Sequence, residues 1–459
     1  MTTAGTEGGA EVGIVVSRAD SASVHIGEQL RSLTEWTTEE DVDRPDEVGG
    51  GTVFRTAGAE LREFDALHLE IEDAADPYDD PALLVFASRH SGETGPLLSA
   101  HFTGNIGPAE FGGDEGRLAR AAPNALRTAI ATLDRTAPQN YDVVMECTHH
   151  GPTDLDVPAL FVELGSDADQ WADPAGAEAV ARTILDLRGV PPERERQVVG
   201  IGGGHYAPRF GRVLRDTDWA VGHVAADWSL EAAAPLEDAL IRRLFERSGT
   251  CRALIDGDDL TVESRIRELG FDTVSETWLR ETTGVPLSLV ERVETNFGAI
   301  DEGVRFGRPA RGMADVPDDL RVVSLHPKLI RTVNGIDTDA TRAAVERVAI
   351  AFGTADGGSR AAGGLVVSAD DAIDRLLESV LPILDDRYGS VERSGGEIVV
   401  EERAFDPDRA RDLGVPEGPA FGRLTAGEAV TVEGEQVAPD DVHVERTTRL
   451  PIRADETEI

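Results

Sequence analysis

The feature that most constrains the fold is a regular alternation of short apolar runs with helical segments up to about residue 300. The runs predicted as strands are 12–17, 66–71, 82–88, 97–105, 141–148, 159–166, 196–206 and 219–226. Between them, 124–136 and 175–187 have the spacing of amphipathic helices. Strands that are apolar throughout are typical of a parallel sheet covered on both faces. We therefore expect an α/β fold with a mostly parallel sheet flanked by helices.

The length predicts more than one domain, because 459 residues exceed a typical single domain. Around residues 301–320 the chain becomes loop-like, and shorter helices, strands and turns follow. We place the first domain at residues 1–303 and a smaller C-terminal α+β extension at residues 320–459.

The charge balance is extreme, with 86 acidic residues against 44 basic ones, a net charge of −42 and a single lysine, Lys328. Such a surface resembles proteins of salt-loving archaea, since high salt screens the self-repulsion of so many carboxylates. The composition therefore indicates a salt-rich solvent rather than a particular binding partner. It does not exclude a nucleic-acid ligand, because counterion release contributes little to binding at molar salt.

Cysteine usage and hydropathy indicate the compartment. Two cysteines give no disulfide framework, the N-terminus has no signal-peptide pattern, and no apolar run approaches 18 residues. We expect a cytoplasmic monomer without a membrane partner.

Polar side chains gather where the predicted strands end. The histidines at these ends are His90, His101, His149, His150, His205, His223 and, less clearly, His68. Ligands of open α/β sheets bind beyond the carboxyl ends of the strands, so we expect these groups on one rim. Imidazole and carboxylate ligands, here with Glu146 and Glu163, suit zinc, which can keep one position for water.

The stretch "MECTHHGPT" (145–153) places Glu146 and two adjacent histidines directly after a strand. Neighbouring side chains of an extended chain point in opposite directions, which predicts that only one histidine faces the site. We favour His150, because Gly151-Pro152 makes the chain turn immediately after it. Glu146 could bind a metal or move a proton.

A second glycine-rich stretch, "GIGGGHYAPRF" (200–210), follows a predicted strand. Gly202, Gly203 and Gly204 would allow the backbone to approach a phosphate or a carbonyl group, or would simply form a tight turn. His205, directly after the glycines, favours a binding loop.

Four stretches carry a resemblance to a known family: "SRHSGETGPLLSAHFTGN", "MECTHHGPTDLDVPALFVELGSD", "WADPAGAEAVARTIL" and "VVGIGGGHYAPRF". Over about residues 10–300 the chain resembles the D-aminoacyl-tRNA deacylases of the type shared by archaea and plants. The resemblance implies a sheet related to those of phosphorylases and peptidyl-tRNA hydrolase. It also implies zinc, two ions per subunit, and hydrolysis of the ester between a D-amino acid and the terminal adenosine of tRNA. Compact members lack the region beyond residue 301.

The resemblance and the polar clusters together predict roles for individual residues. The predicted metal ligands are His101, His149, His150 and His205. The predicted catalytic residues are Glu146, His150 and Thr103. The predicted substrate-binding residues are Asn105, Gly202, Gly203, Gly204 and Tyr206. Cys147, within the cluster, is interpreted as a small buried side chain rather than a nucleophile.

Two other functions use the same residues. A zinc peptidase or amidohydrolase would hydrolyse small substrates without needing tRNA. A tRNA-binding protein with a structural zinc would bind without turnover, and its metal would have four closed protein ligands.

Overall fold

A computed structural model describes residues 11–257, 260–368 and 371–458. The chain divides into two compact units, Met1–Arg280 and Glu281–Ile459, so the division precedes the loop-like stretch at 301–320. The first predicted domain, residues 1–303, begins outside the described residues, and the second, residues 320–459, ends outside them. Within the described ranges no helix combines the length and the apolar character that a membrane crossing requires.

The described part of the first unit contains twelve strands. They are β1 (Val12–Ser17), β2 (Thr37–Asp41), β3 (Gly51–Thr56), β4 (Ala59–Phe64), β5 (Leu83–Arg89), β6 (Leu97–His101), β7 (Asp142–Met145), β8 (Ala159–Gly165), β9 (Gln197–Gly202), β10 (Ala220–Ala225), β11 (Arg252–Asp256) and β12 (Asp272–Val274). The helices are α1 (Ser21–Leu33), α2 (Pro123–Thr136), α3 (Ala168–Trp171), α4 (Pro174–Asp186), α5 (Pro208–Asp216), α6 (Asp227–Ala232), α7 (Asp238–Ser248), α8 (Leu260–Glu268) and α9 (Glu276–Thr282), the last of which crosses the division.

The strands form two sheets, and the expected mostly parallel α/β architecture is confirmed. The larger sheet has eight strands in the order β2-β3-β4-β1-β5-β8-β6-β7. Its centre is parallel, since β1 pairs with β4 and β5, and β5 pairs with β8. Direction reverses at the next strand: β6 is antiparallel to β8, and β7 follows β6. The smaller sheet, β10-β9-β11-β12, is entirely parallel.

Local sequence explains which elements were predictable. The central strands β1, β5 and β8 are almost completely buried, as continuous apolar runs require. Helix α4 begins where the Asp173 carboxylate accepts a hydrogen bond from the Ala175 amide, with Pro174 in its first turn. In contrast, β2 reads TTEED and is exposed along most of its length, so it has no apolar pattern that could have revealed it.

The predicted strand at 66–71 is wrong. Residues His68–Glu70 instead form one turn of 3-10 helix, and the buried His68 ring packs edge-on against Phe86 and Phe161. A short apolar run does not by itself distinguish a strand from a buried turn.

Truncating Phe86 to alanine is expected to lower the free energy of unfolding by about 3–5 kcal/mol. The Phe86 ring is fully buried and stacks on Phe161, with 4.5 Å between ring centroids and 14° between the ring planes. Urea titration in molar KCl measures this change. The control, Val42→Ala, alters a side chain that is 85% exposed and is expected to shift stability by at most about 0.5 kcal/mol. Equal stability of both variants would contradict the expectation.

The second unit is a separate α+β body, as expected for the extension. Its strands are β13 (Val304–Phe306), β14 (Arg321–Leu325), β15 (Ala351–Ala355), β16 (Arg360–Val367), β17 (Ser390–Ser394), β18 (Glu397–Phe405), β19 (Val430–Val432), β20 (Glu435–Val437), β21 (His443–Pro451) and β22 (Arg453–Glu458). Its helices are α10 (Leu287–Asn296), α11 (Pro327–Ile336), α12 (Thr338–Val348), α13 (Ala372–Asp385), α14 (Pro407–Asp412), α15 (Pro419–Thr425) and α16 (Pro439–Val442). The five-stranded antiparallel sheet β13-β15-β16-β14-β22 joins the start of this unit to its end.

Candidate functional site

The floor of the site is the antiparallel pair of β6 and β8. Ser99 lies opposite Glu163, and His101 lies opposite Phe161, so these side chains share one face of the sheet. The Ser99 hydroxyl donates to a Glu163 oxygen at 3.4 Å, and His101 Nε2 lies 3.6 Å from the other oxygen. Because β6 runs antiparallel to β8, the polar groups of the two strands meet over this face of the sheet. A site beyond one edge of the sheet had been expected.

The segment after β7 carries the buried carboxylate of the site. Glu146 is 1% exposed, and its Oε2 accepts a hydrogen bond from His205 Nε2 at 2.7 Å. His90 Nε2 lies 3.7 Å from the other oxygen, Oε1. The Cys147 amide donates to the His205 carbonyl, which ties this segment to the loop after β9. Three residues that follow different strands, Glu146, His90 and His205, are thereby brought together.

Both adjacent histidines face the cluster, so the prediction that only one does is wrong. Their ring centroids are 4.4 Å apart, and the His149 ring lies 4.3 Å from that of His101 and 4.7 Å from that of His205. The reason is the backbone of His150, whose φ of +50° is in the left-handed region. That conformation breaks the alternation of an extended chain and turns both rings to the same side.

The ring nitrogens are arranged as in metal-binding histidines. The Nδ1 atoms of His101, His149 and His150 each lie within 3.1 Å of a main-chain carbonyl oxygen. A histidine that donates from Nδ1 to a carbonyl presents the lone pair of Nε2. His101 Nε2 and Glu146 Oε1 are buried without a hydrogen-bond partner among the described residues. Such orphaned atoms fit a ligand or a metal ion.

Burial and mutual repulsion set the charge states of the cluster. Burial, reinforced by His101, lowers the pKa of His149 to about 3, and burial together with His149 holds the pKa of His150 well below its usual range. Both imidazoles are therefore neutral near pH 7. Burial opposes the charge of His205, but Cys147 and Glu146 raise the pKa of His205 to about 10. Burial also opposes ionisation of Glu146, yet the hydrogen bond from His205 and the neighbouring histidines together lower the pKa of that carboxyl.

Among the residues that the structure describes, three overlapping sets of side chains could hold a metal ion, each with its ligand atoms within 4.8 Å of one another. They are His101, His149 and His150; Cys147, His149 and His205; and His90, Glu146 and His205. The first and third sets share no residue, so they could be occupied together. Nitrogen, sulfur and carboxylate donors in groups of three are typical of zinc sites that retain an open position.

A cavity of 380 Å³ opens onto this cluster. Three of its lining residues are His149, His150 and His205, and the loop that includes Gly104 and Asn105 forms another part of its wall. Cavities of about 300–1,000 Å³ are typical of small-molecule sites. The cluster is therefore accessible to a ligand of moderate size.

At the start of the glycine-rich stretch, neighbouring atoms leave no room for a side chain, whereas Gly204 at its end faces open space. Gly202 has a φ of +89°, and a Cβ atom there would lie 2.3 Å from the Asp256 carbonyl oxygen. At Gly203 a Cβ atom would lie 2.7 Å from the Asp256 carboxylate. Gly204 has nothing within 4 Å of its Cβ position, so of the three it faces free space.

Comparison with known proteins shows the family to which this chain belongs. A family model described as D-aminoacyl-tRNA deacylase matches residues 78–273, which include every residue of the cluster. A relative from Natronomonas pharaonis, named D-aminoacyl-tRNA deacylase, is 56% identical over 95% of this chain and 99% of its own. The chain belongs to the D-aminoacyl-tRNA deacylase family.

Other relatives show how far the likeness to deacylases extends. A deacylase from Haloarcula marismortui is 49% identical over 96% of this chain, and one from Methanococcoides burtonii is 30% identical over 96% of both chains. Both span the second unit. A crystal structure of a conserved protein of unknown function matches with a TM-score of 0.53 and 25% identity, covering 60% of this chain and 98% of its own.

Within this deacylase fold the predicted residues do not all meet. His101, Glu146, His149, His150 and His205 converge, and His90 joins them. Tyr206 lies at the margin, with its hydroxyl 3.4 Å from His90 Nε2. Thr103 is buried and its hydroxyl has no hydrogen-bond partner among the described residues. Asn105 lines the cavity but uses its amide nitrogen to hold the carbonyl of Gly112 at 2.8 Å.

Two histidines from the predicted rim lie elsewhere. His223 is held between the Thr148 hydroxyl and the Ala119 carbonyl, and His68 packs in the core. The predicted site residues did not include Phe111 and Trp228, two aromatic residues of the cavity wall. Phe111 lies beyond the predicted strand at 97–105, and Trp228 lies two residues beyond the predicted strand at 219–226. Neither has an imidazole or carboxylate group, the signal that marked the other candidates.

Proposed function

We propose that this chain hydrolyses the ester bond of a D-aminoacyl-tRNA and releases a free D-amino acid and tRNA. The observation that carries the proposal is a buried, ionised Glu146 surrounded by histidines at the cavity. The family membership supports the substrate, because relatives that cover nearly the whole chain are named D-aminoacyl-tRNA deacylases. Since aminoacyl-tRNA is used in the cytoplasm, we infer that the enzyme acts there. We also propose that it acts as a monomer.

We further propose that the cluster holds zinc, in up to two positions. His101, His149 and His150 would supply one set of ligands, and His90, Glu146 and His205 the other. The neutral state of His149 and His150 near pH 7 and the orphaned His101 Nε2 fit this role. When bound, zinc lowers the pKa of a coordinated water and polarises a carbonyl group.

The side chains of the chain itself would move the proton of the reaction. Where Glu146 does not itself bind zinc, its Oε1 atom, which has no hydrogen-bond partner among the described residues, is available to take a proton from the attacking water. The same carboxyl would return that proton to the departing 3′-oxygen of the ribose. The unpartnered Thr103 hydroxyl would donate a hydrogen bond to the oxygen that gains negative charge, with the amide of Gly204 as a second donor.

The stereochemical choice would depend on the shape of the cavity. If the pocket wall accommodates the side chain of the D-enantiomer, the side chain of the L-enantiomer would collide with protein atoms.

We infer that the catalytic region is the first domain, predicted as residues 1–303, because all candidate metal ligands lie between His90 and His205.

The decisive experiment compares D-tyrosyl-tRNA and L-tyrosyl-tRNA as substrates in molar KCl, with release of tyrosine as the readout. We expect the D-ester to be hydrolysed at least about 100-fold faster in terms of kcat/KM, since a rigid site can reject a misplaced group by that factor. Hydrolysis of small amides with no need for tRNA would favour an amidohydrolase instead. Tight binding of tRNA without turnover would favour a tRNA-binding protein.

A further inference from the structure

The wall of the cavity carries an unusual pair of aromatic side chains. The chain has only 14 phenylalanines, 5 tryptophans and 4 tyrosines, all within the described ranges. Of these, Phe111 and Trp228 are the two that are exposed, at 65% and 49%. Both line the cavity that contains His149, His150 and His205. Exposed large apolar side chains that gather at one place commonly mark a binding site.

Backbone hydrogen bonds fix both aromatic residues to the segments that carry the histidines. The Phe111 carbonyl accepts from the amide of Gly151, the residue after His150, at 2.9 Å. The amide of Asp227, the residue before Trp228, donates to the Gly203 carbonyl at 3.0 Å. The two aromatic residues are therefore held in place relative to the histidines.

We propose that Phe111 and Trp228 form a stacking site for the base of the terminal adenosine of tRNA. The proposal rests on the proposed function and adds the part of the substrate that this wall contacts. The base is separated from the ester by the ribose, so it would lie away from the histidines, where the cavity meets solvent. The high exposure of Phe111 and Trp228 places them there.

The charge of the cavity wall favours stacking over phosphate recognition. No arginine or lysine of the described ranges lines it, and Glu110 adds a carboxylate. At molar salt, contacts to phosphates contribute little to affinity, whereas stacking of a base on an aromatic ring does not depend on ion release. Every tRNA ends in the same adenosine, so one stacking site serves tRNAs that carry any D-amino acid.

The side chain of the D-amino acid is the alternative occupant of this wall, and two substrates separate the cases. If the base stacks there, Trp228→Ala and Phe111→Ala slow hydrolysis of D-alanyl-tRNA and D-tyrosyl-tRNA by the same factor. If the side chain stacks there, only the aromatic substrate is affected, and the proposal is overturned.

The test measures both catalysis and binding in molar KCl. We expect Trp228→Ala and Phe111→Ala each to lower kcat/KM about 10- to 100-fold, and to weaken binding of adenosine 5′-monophosphate, measured by calorimetry, by a similar factor. Trp228→Phe should restore most of both. The matched control is Leu413→Ala, another exposed apolar side chain that does not line the cavity. Unfolding temperatures confirm that each variant is folded.

The outcomes separate the two proposals. Deacylation and nucleotide binding that are unchanged in both alanine variants would overturn the stacking site and leave the deacylase function intact. A wild-type protein that binds adenosine 5′-monophosphate through Trp228 but hydrolyses no D-aminoacyl-tRNA would overturn the deacylase function and support a base-binding site.

Discussion

Replacing Glu146 with glutamine is expected to slow hydrolysis of D-tyrosyl-tRNA by about 100- to 10,000-fold, the range that general-base catalysis contributes. Glutamine keeps the size of the side chain but cannot accept a proton from water near neutral pH. The carboxylate is ionised in the folded chain, because the hydrogen bond from His205 and the neighbouring histidines together outweigh the cost of burial and lower the pKa of Glu146. Single-turnover rates measured with preloaded tRNA report the chemical step directly.

The matched control is Glu28→Gln, which removes an exposed carboxylate of helix α1 that lies outside both the cavity wall and the histidine cluster. We expect its rate to stay within about threefold of the wild-type rate, since surface charges contribute little at molar salt. A Glu146→Gln variant that is as active as the Glu28→Gln variant would contradict the role of Glu146 as the base.

Removal of zinc is the second change with a large expected effect. We expect chelation in molar KCl to lower the rate at least about 1,000-fold, and added zinc to restore it, because Lewis-acid stabilisation is worth several kcal/mol. His149→Asn should have a comparable effect, since His149 belongs to two of the three candidate ligand sets. Elemental analysis of the purified variant should show less bound zinc than the wild type.

His326→Asn is the control for this experiment. His326 caps helix α11 in the second unit, and asparagine is itself a favoured capping residue, so the fold should be unaffected. This variant should keep the metal content and the rate of the wild type. Full activity of a chelated protein with no detectable metal would contradict the zinc proposal, and the metal content distinguishes that result from incomplete chelation.

Much of the architecture was predictable because its signals are local. Continuous apolar runs such as those of β1, β5 and β8 identify buried strands from a few residues. Helices α2 and α4 begin and end within one or two residues of their predicted bounds. The exposed β2 was not predictable because it has no apolar pattern, and the turn at His68–Glu70 was not because the burial of His68 depends on residues distant in sequence.

The candidate site likewise has a part that was predictable from the sequence and a part that was not. The sequence by itself determined the chemistry that is present: imidazoles and carboxylates follow buried strands, and the motifs around them identify the family. Only the tertiary structure decided how these groups meet. The reversal between β8 and β6 places His101 opposite β8, and the left-handed backbone of His150 turns both adjacent rings to one side. Strand direction and single dihedral angles depend on long-range packing, which no local pattern records. The same packing brings Phe111 and Trp228, 117 positions apart, to one cavity wall.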